Sequence, residues 1–517
     1  MSRSSYSVPP LLLACLLASC GSDSNTSPTP STMSPTQRGQ LLANPPAELA
    51  SYAPSDLLGL LGLSNLGQKL LQLAYAPTCT VNVYQIGYTT VGGQNEPTSA
   101  SGALMVPSGS DSSCQGPRPI VLYAHGTTPN KSFNIAAISA SGDDEGLILA
   151  AVFAAKGYIV VAPNYAGYDT SALTYHPYLV ADQQSKDMID ALTAARSALP
   201  VAAAPNVTDA MKLFVTGYSQ GGFVAMATHR ALQAAGAAVT ASAPMSGPYA
   251  LAAFADAVFM GQVNGSAVLN FVLLTTAYQH TYGNLYANTT DIFEAKYATG
   301  IDTLLPSTTP ISTLYSEGKL PQNALFNSTP PAPQYASITP ATVPANLAPA
   351  FALGFGPDNL VTNAYRLNYL EDAAASPDGG FPTTTTGVPA AAPTNTVRQA
   401  LKTNDLRNWT PTSPVLLCGG SGDPTVFFFN TQLMQGYWAL NPPSTAPVVL
   451  DVDSAPTLGD PYAALKSGFA DVKAAVAEAA VAGGATDGGT AAVLEAYHAG
   501  LVPPFCLIAV KSFFDAH

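Results

Sequence analysis

Apolar and polar positions along the chain predict strands that alternate with helices. Residues 80–86 alternate apolar and polar side chains, the pattern of a half-buried strand, and residues 100–107 are the predicted antiparallel partner. Continuous apolar segments predict four buried strands, at 118–126, 158–163, 212–216 and 237–244. Apolar residues at helical spacing predict helices between or after these strands, at 149–156, 183–199 and 223–234. This alternation is typical of an α/β fold with a mainly parallel sheet and helices on both faces.

Composition and charge exclude several classes of function for this chain. The chain has 517 residues, 47% of them apolar and 10% charged, and its formal net charge is −13. That length allows one domain with a large insertion, or two domains. Acidic residues outnumber basic ones and no basic stripe occurs, so nucleic acid is not an expected partner. The six histidines lack metal-ligand spacing and no glycine-rich phosphate loop occurs, so we expect no metal ion and no cofactor.

The N-terminal 40 residues have the features of a targeting segment and a tether. One early charge, Arg3, precedes an apolar run at 11–17 that is too short to cross a bilayer as a mature helix. The run leads into Leu-Ala-Ser-Cys-Gly, with the cysteine at Cys20, which resembles the lipobox of bacterial lipoproteins. The resemblance implies that residues 1–19 are a signal peptide and that Cys20 is acylated. Residues 20–40, rich in Ser, Thr and Pro, are the predicted flexible tether.

This segment also predicts where the protein resides. Gly21, directly after the cysteine, favours the outer membrane by resemblance to enterobacterial lipoproteins. The alternative is an ordinary cleaved signal with an incidental cysteine, which would give a secreted protein. We therefore expect a lipid-anchored protein of the bacterial cell envelope, or a secreted one.

Export would place the remaining cysteines in an oxidising compartment. One of the six cysteines leaves with the signal peptide, and four remain beyond Cys20. Four cysteines allow three pairings. Proximity in sequence favours Cys79–Cys114 and Cys418–Cys506, and buried free thiols are the alternative.

A serine lies where the third predicted buried strand meets a predicted helix. Gly217, Ser219 and Gly221 match the G-x-S-x-G pattern. Glycines at these positions, and at Gly222, let the backbone turn sharply and pack closely. A serine on such a turn is exposed at the carboxyl end of the sheet, and the N-terminus of the following helix favours negative charge as it develops. Ser219 is therefore a predicted nucleophile, and the alternative is a small residue in a glycine-rich loop.

Five motifs, in order, resemble the α/β-hydrolase superfamily and in particular its secreted lipase and esterase branch: YAHGT, VVAPNYAGYD, VTGYSQGG, PVLLCGGSGDPTV and YHAGLVPPFC. The resemblance covers residues 75–250 and 410–517. It implies the α/β-hydrolase fold and catalytic residues in the chain order Ser, acid, His. The predicted hydrolase core comprises residues 41–250 and 406–517, on either side of an insertion at 251–405.

Two further residues are needed to activate such a serine, because an imidazole must take its proton and a carboxylate must orient that imidazole. His498, expected in a loop before a helix at 505–514, is favoured over the terminal His517 because chain ends fray. Asp423 is the favoured acid, since the family places its acid after a strand such as 413–419. The rival acids follow the next apolar run, at Asp451, Asp453 and Asp460, and a turn or helix-cap role is preferred for the last two.

The expected oxyanion hole consists of two backbone N–H groups. Gln220, directly after Ser219, supplies one, and Thr127 in the His-Gly-Thr turn supplies the other. By resemblance to the family, His125 supports this loop and does not act as a base. Tyr165 is expected either to line the pocket or to lie in the core or at the rim. The remaining internal histidines are expected at the surface or in packing, at His176, His229 and His280.

Residues 251–405 interrupt the alternation of strands and helices. Helical patterns at 251–263 and 267–282 are followed by a Pro- and Thr-rich stretch. An insertion of this size is most simply a cap or lid over the active site. Its few charges favour an apolar or aromatic ester. A second insertion at 461–489 contains an Ala-rich helix, which is expected to pack closely.

Together these features predict a serine hydrolase that cleaves carboxylic esters through an acyl-enzyme, with a small-molecule or lipid ester as substrate. Acyl chain and alcohol stay open. One alternative is a serine peptidase of the prolyl-oligopeptidase type, which shares the motif and the triad order. Such a peptidase normally carries an N-terminal β-propeller or similar domain, for which the residues before the first predicted strand leave no room. The other alternative is a non-catalytic binding lipoprotein on a hydrolase scaffold.

Overall fold

The computed structural model describes residues 37–63, 65–72, 76–139, 145–202, 206–378 and 388–517. The predicted signal peptide, the acylated Cys20 and most of the predicted tether lie outside the described residues.

One nine-stranded sheet runs through the described part of the chain. Its strands are β1 Ala47–Tyr52, β2 Thr80–Val91, β3 Pro97–Ser108, β4 Gly116–Ala124, β5 Ile159–Pro163, β6 Val207–Tyr218, β7 Ala241–Met245, β8 Leu416–Gly419 and β9 Val448–Asp451. Their order in the sheet is β1-β2-β3-β5-β4-β6-β7-β8-β9. The pairs β1–β2, β2–β3 and β3–β5 are antiparallel, and all pairs from β5 across to β9 are parallel. The predicted mainly parallel sheet is confirmed.

Strand β1 was not predicted from the sequence. Its residues are mostly exposed, and it pairs with β2 through a register shift between Glu48 and Ala50. An exposed strand at the edge of a sheet needs neither an apolar run nor a strict alternation. The hydrophobic pattern therefore carries little signal for it.

Helices cover both faces of the sheet, as the alternating pattern predicts. Alternate residues of β4 enter different cores: Ile120 and Leu122 pack into one, and Val121 and Tyr123 pack into the other. The helices of the first core segment are α1 Pro54–Leu61, α2 Asn65–Gln72, α3 Glu145–Val152, α4 Ala181–Ala202 and α5 Gln220–Ala234. Those after the insertion are α13 Phe429–Leu440, α14 Ala463–Ala482, α15 Thr490–Ala496 and α16 Val502–Asp515.

The regular elements in the described part of the insertion at 251–405 are helices, joined by irregular segments. Its helices are α6 Leu251–Phe259, α7 Ala267–Tyr282, α8 Ala295–Ala298, α9 Ile311–Ser316, α10 Ala348–Leu353, α11 Asn363–Ala375 and α12 Thr396–Asn404. α7 has the predicted bounds, whereas the helix predicted at 251–263 ends at Phe259. Buried ion pairs join these helices: Arg398 on α12 donates to Asp256 on α6 at 2.9 Å and to Asp372 on α11 at 2.7 Å.

Two disulfides join distant parts of the core, with the predicted pairing. Cys79–Cys114 connects the start of β2 to the turn before β4, and Cys418–Cys506 connects β8 to α16. The helical stretch Thr490–Asp515 is long and apolar enough to cross a membrane, but 61% of its most apolar window is buried inside the protein. Its disulfide to β8 and its burial identify it as a core element.

The Ala-rich helix α14 does not pack closely along its length, contrary to the expectation. Phe469 is its one fully buried residue, and most of its alanines are exposed or half-buried. Alanine has the highest intrinsic helix propensity, so an Ala-rich sequence forms a helix without requiring tight contacts.

Candidate active site

Ser219 lies on a sharp turn between β6 and α5, which we call the elbow. Its backbone has φ 60° and ψ −120°, a strained conformation for a residue with a side chain. A Cβ at Gly221 would lie 1.9 Å from the Ala124 carbonyl oxygen, and one at Gly222 would lie 2.3 Å from that of Met245. These glycines therefore let the elbow pack directly against the neighbouring strands. The helix after the elbow begins at Gln220, three residues earlier than predicted.

The structure brings Ser219, His498 and Asp423 together. His498 Nε2 lies 2.8 Å from Ser219 Oγ, and His498 Nδ1 lies 2.7 Å from Asp423 Oδ2. The other oxygen, Asp423 Oδ1, accepts hydrogen bonds from the backbone N–H groups of Thr425 at 2.8 Å and Val426 at 3.1 Å. Asp423 is 1% exposed, so both of its oxygens are committed to fixed partners. The arrangement orients the imidazole with Nε2 towards the serine hydroxyl.

None of the three rival aspartates contacts His498. Asp451 accepts hydrogen bonds from the Ser421 and Asp453 backbone N–H groups. Asp453 accepts a hydrogen bond from the Tyr497 hydroxyl at 2.6 Å and pairs with Lys473. Asp460 has the turn role expected of it, because its side chain accepts from the Tyr462 N–H and pairs with Lys466. The ring of His517 bonds to the carbonyl of Phe513 at 2.8 Å, in the last turn of α16.

His498 does not lie in a loop, as predicted, but in a π-helical turn, Tyr497–Leu501, that joins α15 to α16 without a break. Within this π turn, the N–H of Val502 donates to the carbonyl of Tyr497, five residues earlier. Single π turns within helices are frequent at functional sites. The wider turn places His498 beside the elbow while the helix continues into the core.

The two residues of the expected oxyanion hole lie on the same cavity as Ser219. Gln220 begins α5, and Thr127 follows β4 in the His-Gly-Thr turn. Among the residues that the structure describes, no acceptor is bonded to the backbone N–H of either one. Gln220 N–H belongs to the first turn of α5, whose N–H groups have no partner within the helix and favour negative charge.

His125 supports this turn from below. Its ring is fully buried, with Nδ1 2.7 Å from the Gly126 carbonyl oxygen and Nε2 3.2 Å from that of Asn164. Burial lowers the pKa of His125 to about 4, so the ring is neutral at physiological pH. Tyr165 stacks on this ring with centroids 4.2 Å apart and donates to the His125 carbonyl. Tyr165 is therefore a core residue beneath the site.

Two residues close to the site, His176 and Tyr178, were not predicted to belong to it. His176, expected in packing, is indeed buried, but its Nε2 also lies 2.7 Å from the Gln220 side-chain nitrogen. Burial lowers the pKa of His176 to about 3, so the neutral ring can accept a hydrogen bond from that amide. The Tyr178 hydroxyl lies 3.0 Å from Thr127 Oγ1. These contacts span 44 and 51 residues, a separation over which no local pattern links the partners.

An apolar cavity lies over Ser219. It contains about 750 Å³ of space not filled by atoms, counting its open mouth. The insertion supplies most of the wall, chiefly from α6, α7 and α12, and the core supplies the residues around Ser219. Polar groups are few: Thr127, Tyr178, Asn264, Asn270 and Thr425 join Ser219 and Gln220. No charged residue is among its described lining residues.

The other histidines that the structure describes make structural contacts. Within the described ranges, no three His, Cys, Asp or Glu side chains lie close enough to share a metal ion. His229 bonds to the Ser242 hydroxyl at 2.8 Å in the core, and His280 stacks on Tyr175 with centroids 4.1 Å apart.

Comparison with known proteins agrees with this fold. The sequence profile of the prolyl oligopeptidase family matches residues 148–270, which include the elbow. No curated protein sequence matches the chain significantly. The rice cell wall degrading esterase LipA from Xanthomonas oryzae is 27% identical, with 84% of this chain and 95% of that chain covered and a TM-score of 0.61. A solved structure from Legionella pneumophila is 18% identical, with 92% and 98% covered and a TM-score of 0.61.

The sheet order, the elbow and these likenesses show that the chain has the α/β-hydrolase fold. Esterases are among the proteins that share it.

Proposed function

We propose that this protein is a serine hydrolase that cleaves carboxylic esters. The observation that carries the proposal is the continuous series of contacts from Asp423 through His498 to Ser219, which lines an apolar cavity. An imidazole with one nitrogen on a buried carboxylate and the other on a serine hydroxyl is the arrangement that activates the hydroxyl as a nucleophile.

The reaction follows from these contacts. Ser219 Oγ attacks the ester carbonyl while His498 Nε2 takes its proton, and Asp423 stabilises the imidazolium that results. The N–H groups of Gln220 and Thr127 stabilise the negative oxygen of the tetrahedral intermediate. His498 then gives its proton to the departing alcohol. A water molecule, deprotonated by the same imidazole, releases the acid and restores Ser219.

The direct test is a comparison of wild type with Ser219→Ala. Wild type should hydrolyse p-nitrophenyl butyrate and react with a fluorophosphonate probe at Ser219, whereas Ser219→Ala should do neither. Removing the nucleophile from such a triad lowers turnover on the order of a million-fold. Wild-type protein that is folded but neither turns over the ester nor takes up the probe would instead support a non-catalytic binding protein.

A peptidase is the second candidate, because the prolyl oligopeptidase profile matches residues 148–270. That region contains the elbow, which peptidases and esterases of this fold share, but neither Asp423 nor His498. The cavity favours the ester, since no charged residue among its described lining could pair with a peptide terminus. An Ala-Pro p-nitroanilide and the p-nitrophenyl ester of butyrate, tested side by side, separate the two: faster cleavage of the anilide would favour the peptidase.

We also propose that the protein is exported and anchored by a lipid at Cys20. The Leu-Ala-Ser-Cys sequence supports the anchor, and the two disulfides support folding in an oxidising compartment. In cells fed labelled palmitate, wild type should carry label in the membrane fraction and Cys20→Ala should carry none. A labelled Cys20→Ala protein would rule out the anchor at this residue.

A further inference from the structure

Tyr218 links the elbow to the turn that carries His498. It directly precedes Ser219, and its side chain is 7% exposed. The Tyr218 hydroxyl donates a hydrogen bond to the backbone carbonyl of His498 at 2.5 Å. Its ring also packs against the imidazole, with centroids 5.0 Å apart and planes tilted by 40°. Two adjacent residues of the elbow therefore contact both ends of His498: Ser219 contacts the imidazole and Tyr218 contacts the backbone.

The local sequence explains why the His498 carbonyl needs a donor from outside its helix. In an α-helix this carbonyl would accept from Val502 N–H, but in the π turn that N–H donates to Tyr497. The next position, five residues after His498, is Pro503, and Pro504 follows it. Proline has no N–H. No backbone donor in register is therefore left for the His498 carbonyl, and a partly buried carbonyl without a partner is unfavourable.

We propose that Tyr218 is a positioning residue for His498. The inference rests on the proposed function, in which His498 exchanges protons with Ser219. The Tyr218 hydroxyl satisfies the carbonyl that the two prolines leave open, and so ties the His498 backbone to the residue next to the nucleophile. The imidazole then keeps the same distance from Ser219 while Nδ1 stays on Asp423. The elbow thus supplies both the proposed nucleophile, Ser219, and the hydroxyl that holds His498 in position beside it.

The test compares Tyr218→Phe with a matched control, Tyr158→Phe. Tyr158 is also buried, and its hydroxyl donates to Asp515 at 2.7 Å, but it precedes β5 at the opposite end of the sheet from the elbow. Misplacing a catalytic group by about 1 Å costs on the order of 100-fold. We therefore expect Tyr218→Phe to lower kcat on p-nitrophenyl butyrate by about 10- to 100-fold, with KM changed less than about threefold.

Two readouts separate positioning from a general loss of stability. The rate of Ser219 labelling by a fluorophosphonate should fall in parallel with kcat in Tyr218→Phe, because that reaction also needs His498 as base. Tyr158→Phe should lower the melting temperature by a similar amount and leave kcat and the labelling rate unchanged. Equal kcat values for the two variants would overturn the inference.

A rescue experiment tests the proline argument itself. Pro503→Ala introduces a backbone N–H five residues after His498, where it continues the π register and can donate to the open carbonyl. In the Tyr218→Phe background it should recover a large part of the lost kcat, whereas in wild type it should change kcat little. If Tyr218→Phe alone does not fold, the double variant Tyr218→Phe with Pro503→Ala decides the question. A folded double variant with a kcat close to that of wild type supports the inference. A folded double variant with a reduced kcat contradicts it.

The result also distinguishes this inference from the proposed function. Wild-type protein without esterase activity and without probe labelling would remove the proposed function. Active wild-type protein, with Tyr218→Phe as active as Tyr158→Phe, would remove the positioning role alone.

Discussion

At the scale of single residues, four aspartates lie at or after the ends of β8 and β9, at Asp423, Asp451, Asp453 and Asp460, and only Asp423 contacts the imidazole. Asp423 contacts His498 Nδ1, whereas Asp453 contacts the hydroxyl of the neighbouring Tyr497. That hydroxyl in turn accepts a hydrogen bond from the Gly422 N–H at 3.0 Å. Asp453 therefore does not contact the imidazole directly. It reaches the site through Tyr497, which precedes His498, and Gly422, which precedes Asp423.

These contacts predict different losses of activity when each aspartate is replaced by asparagine. Asp423→Asn should lower kcat about ten-thousand-fold, because an amide favours the wrong tautomer of His498. Asp453→Asn keeps an acceptor for Tyr497 and should lower kcat about tenfold at most, and Asp460→Asn should leave it unchanged. Kinetics on one p-nitrophenyl ester, with the folded state checked by circular dichroism, decide the order. A collapse of activity in Asp453→Asn with Asp423→Asn nearly intact would move the acid to the next strand.

The three residues of this series were predictable because each lies where general rules apply. Ser219 follows a buried strand in a glycine-rich turn, Asp423 follows a second one, and His498 is a late histidine away from the chain end. The partners of these residues were not predictable. The contact of Tyr218 with His498 spans 280 residues, and that of His176 with Gln220 spans 44, so both depend on the finished fold.

At the scale of elements, the two disulfides have different relations to the site. Cys418 is in β8, the strand that leads into the turn with Asp423, and Cys506 is in α16, the helix that follows the π turn. This bridge therefore joins the elements next to Asp423 and His498, the proposed acid and base. Cys79–Cys114 joins β2 to the turn before β4, away from both.

Removing each bridge should therefore give different results. Replacing Cys418 and Cys506 by Ala should lower the free energy of unfolding by up to about 4.6 kcal/mol and should also lower kcat. Replacing Cys79 and Cys114 by Ala should lower it by up to about 3.8 kcal/mol and leave the kcat of the folded protein unchanged. Urea unfolding and ester kinetics measure the two quantities. Equal kcat values in both double variants would show that the second bridge does not support the site.

Most elements were predictable, and the exceptions have physical causes. Buried strands and amphipathic helices follow periodicity, so β4, β5 and α7 were found close to their bounds. β6 begins five residues before its predicted start at 212, and β7 begins four residues after its predicted start at 237. The π turn was not found, because it depends on which N–H groups Pro503 and Pro504 remove and not on apolar spacing. The short helices α8, α9 and α10 were not found either, because four to six residues are too few to show a helical period of apolar side chains.

At the scale of the whole molecule, the core and the insertion share one cavity. Ser219 and Gln220 come from the core, whereas Ala255 on α6 is one of the wall residues from the insertion. Ala255 is half-buried and small, so a larger side chain there would occupy the cavity without removing existing packing.

Ala255→Trp should therefore shorten the preferred substrate. We expect kcat/KM for p-nitrophenyl octanoate to fall about tenfold or more relative to the acetate, because the longer chain loses buried apolar contact. Ala479→Trp, on the exposed side of α14, is the control and should leave the ratio unchanged. A ratio unaffected by Ala255→Trp would show that the acyl chain does not enter this cavity.

The buried carboxyl of Asp187 gives the molecule a pH-dependent stability. Burial raises the pKa of Asp187 to about 6, although its side chain accepts hydrogen bonds from Tyr88 and from the Ala166 N–H. The folded state therefore holds this proton more tightly than the unfolded state does. The resulting contribution to the free energy of unfolding is fully present below about pH 4 and is lost as pH rises through about 6.

Asp187→Asn should flatten that part of the stability curve. Between about pH 4.5 and 7.5, wild type should lose on the order of 2 kcal/mol more free energy of unfolding than the variant, from a pKa difference of about two units. Urea titrations at the two pH values measure this difference. The same pH slope in both proteins would show that Asp187 titrates as it does in the unfolded chain.

The position of His498 far beyond the nucleophile in the sequence has a consequence for biosynthesis. Ser219 and His498 are 279 residues apart, and Asp423 precedes His498 by 75. Under the proposed function, a chain that has been translated through the elbow, the insertion and Asp423 holds the proposed nucleophile without its proposed base. Incomplete chains are therefore expected to be inactive, because the three residues can meet only after the segment with His498 has been made and has folded against β8.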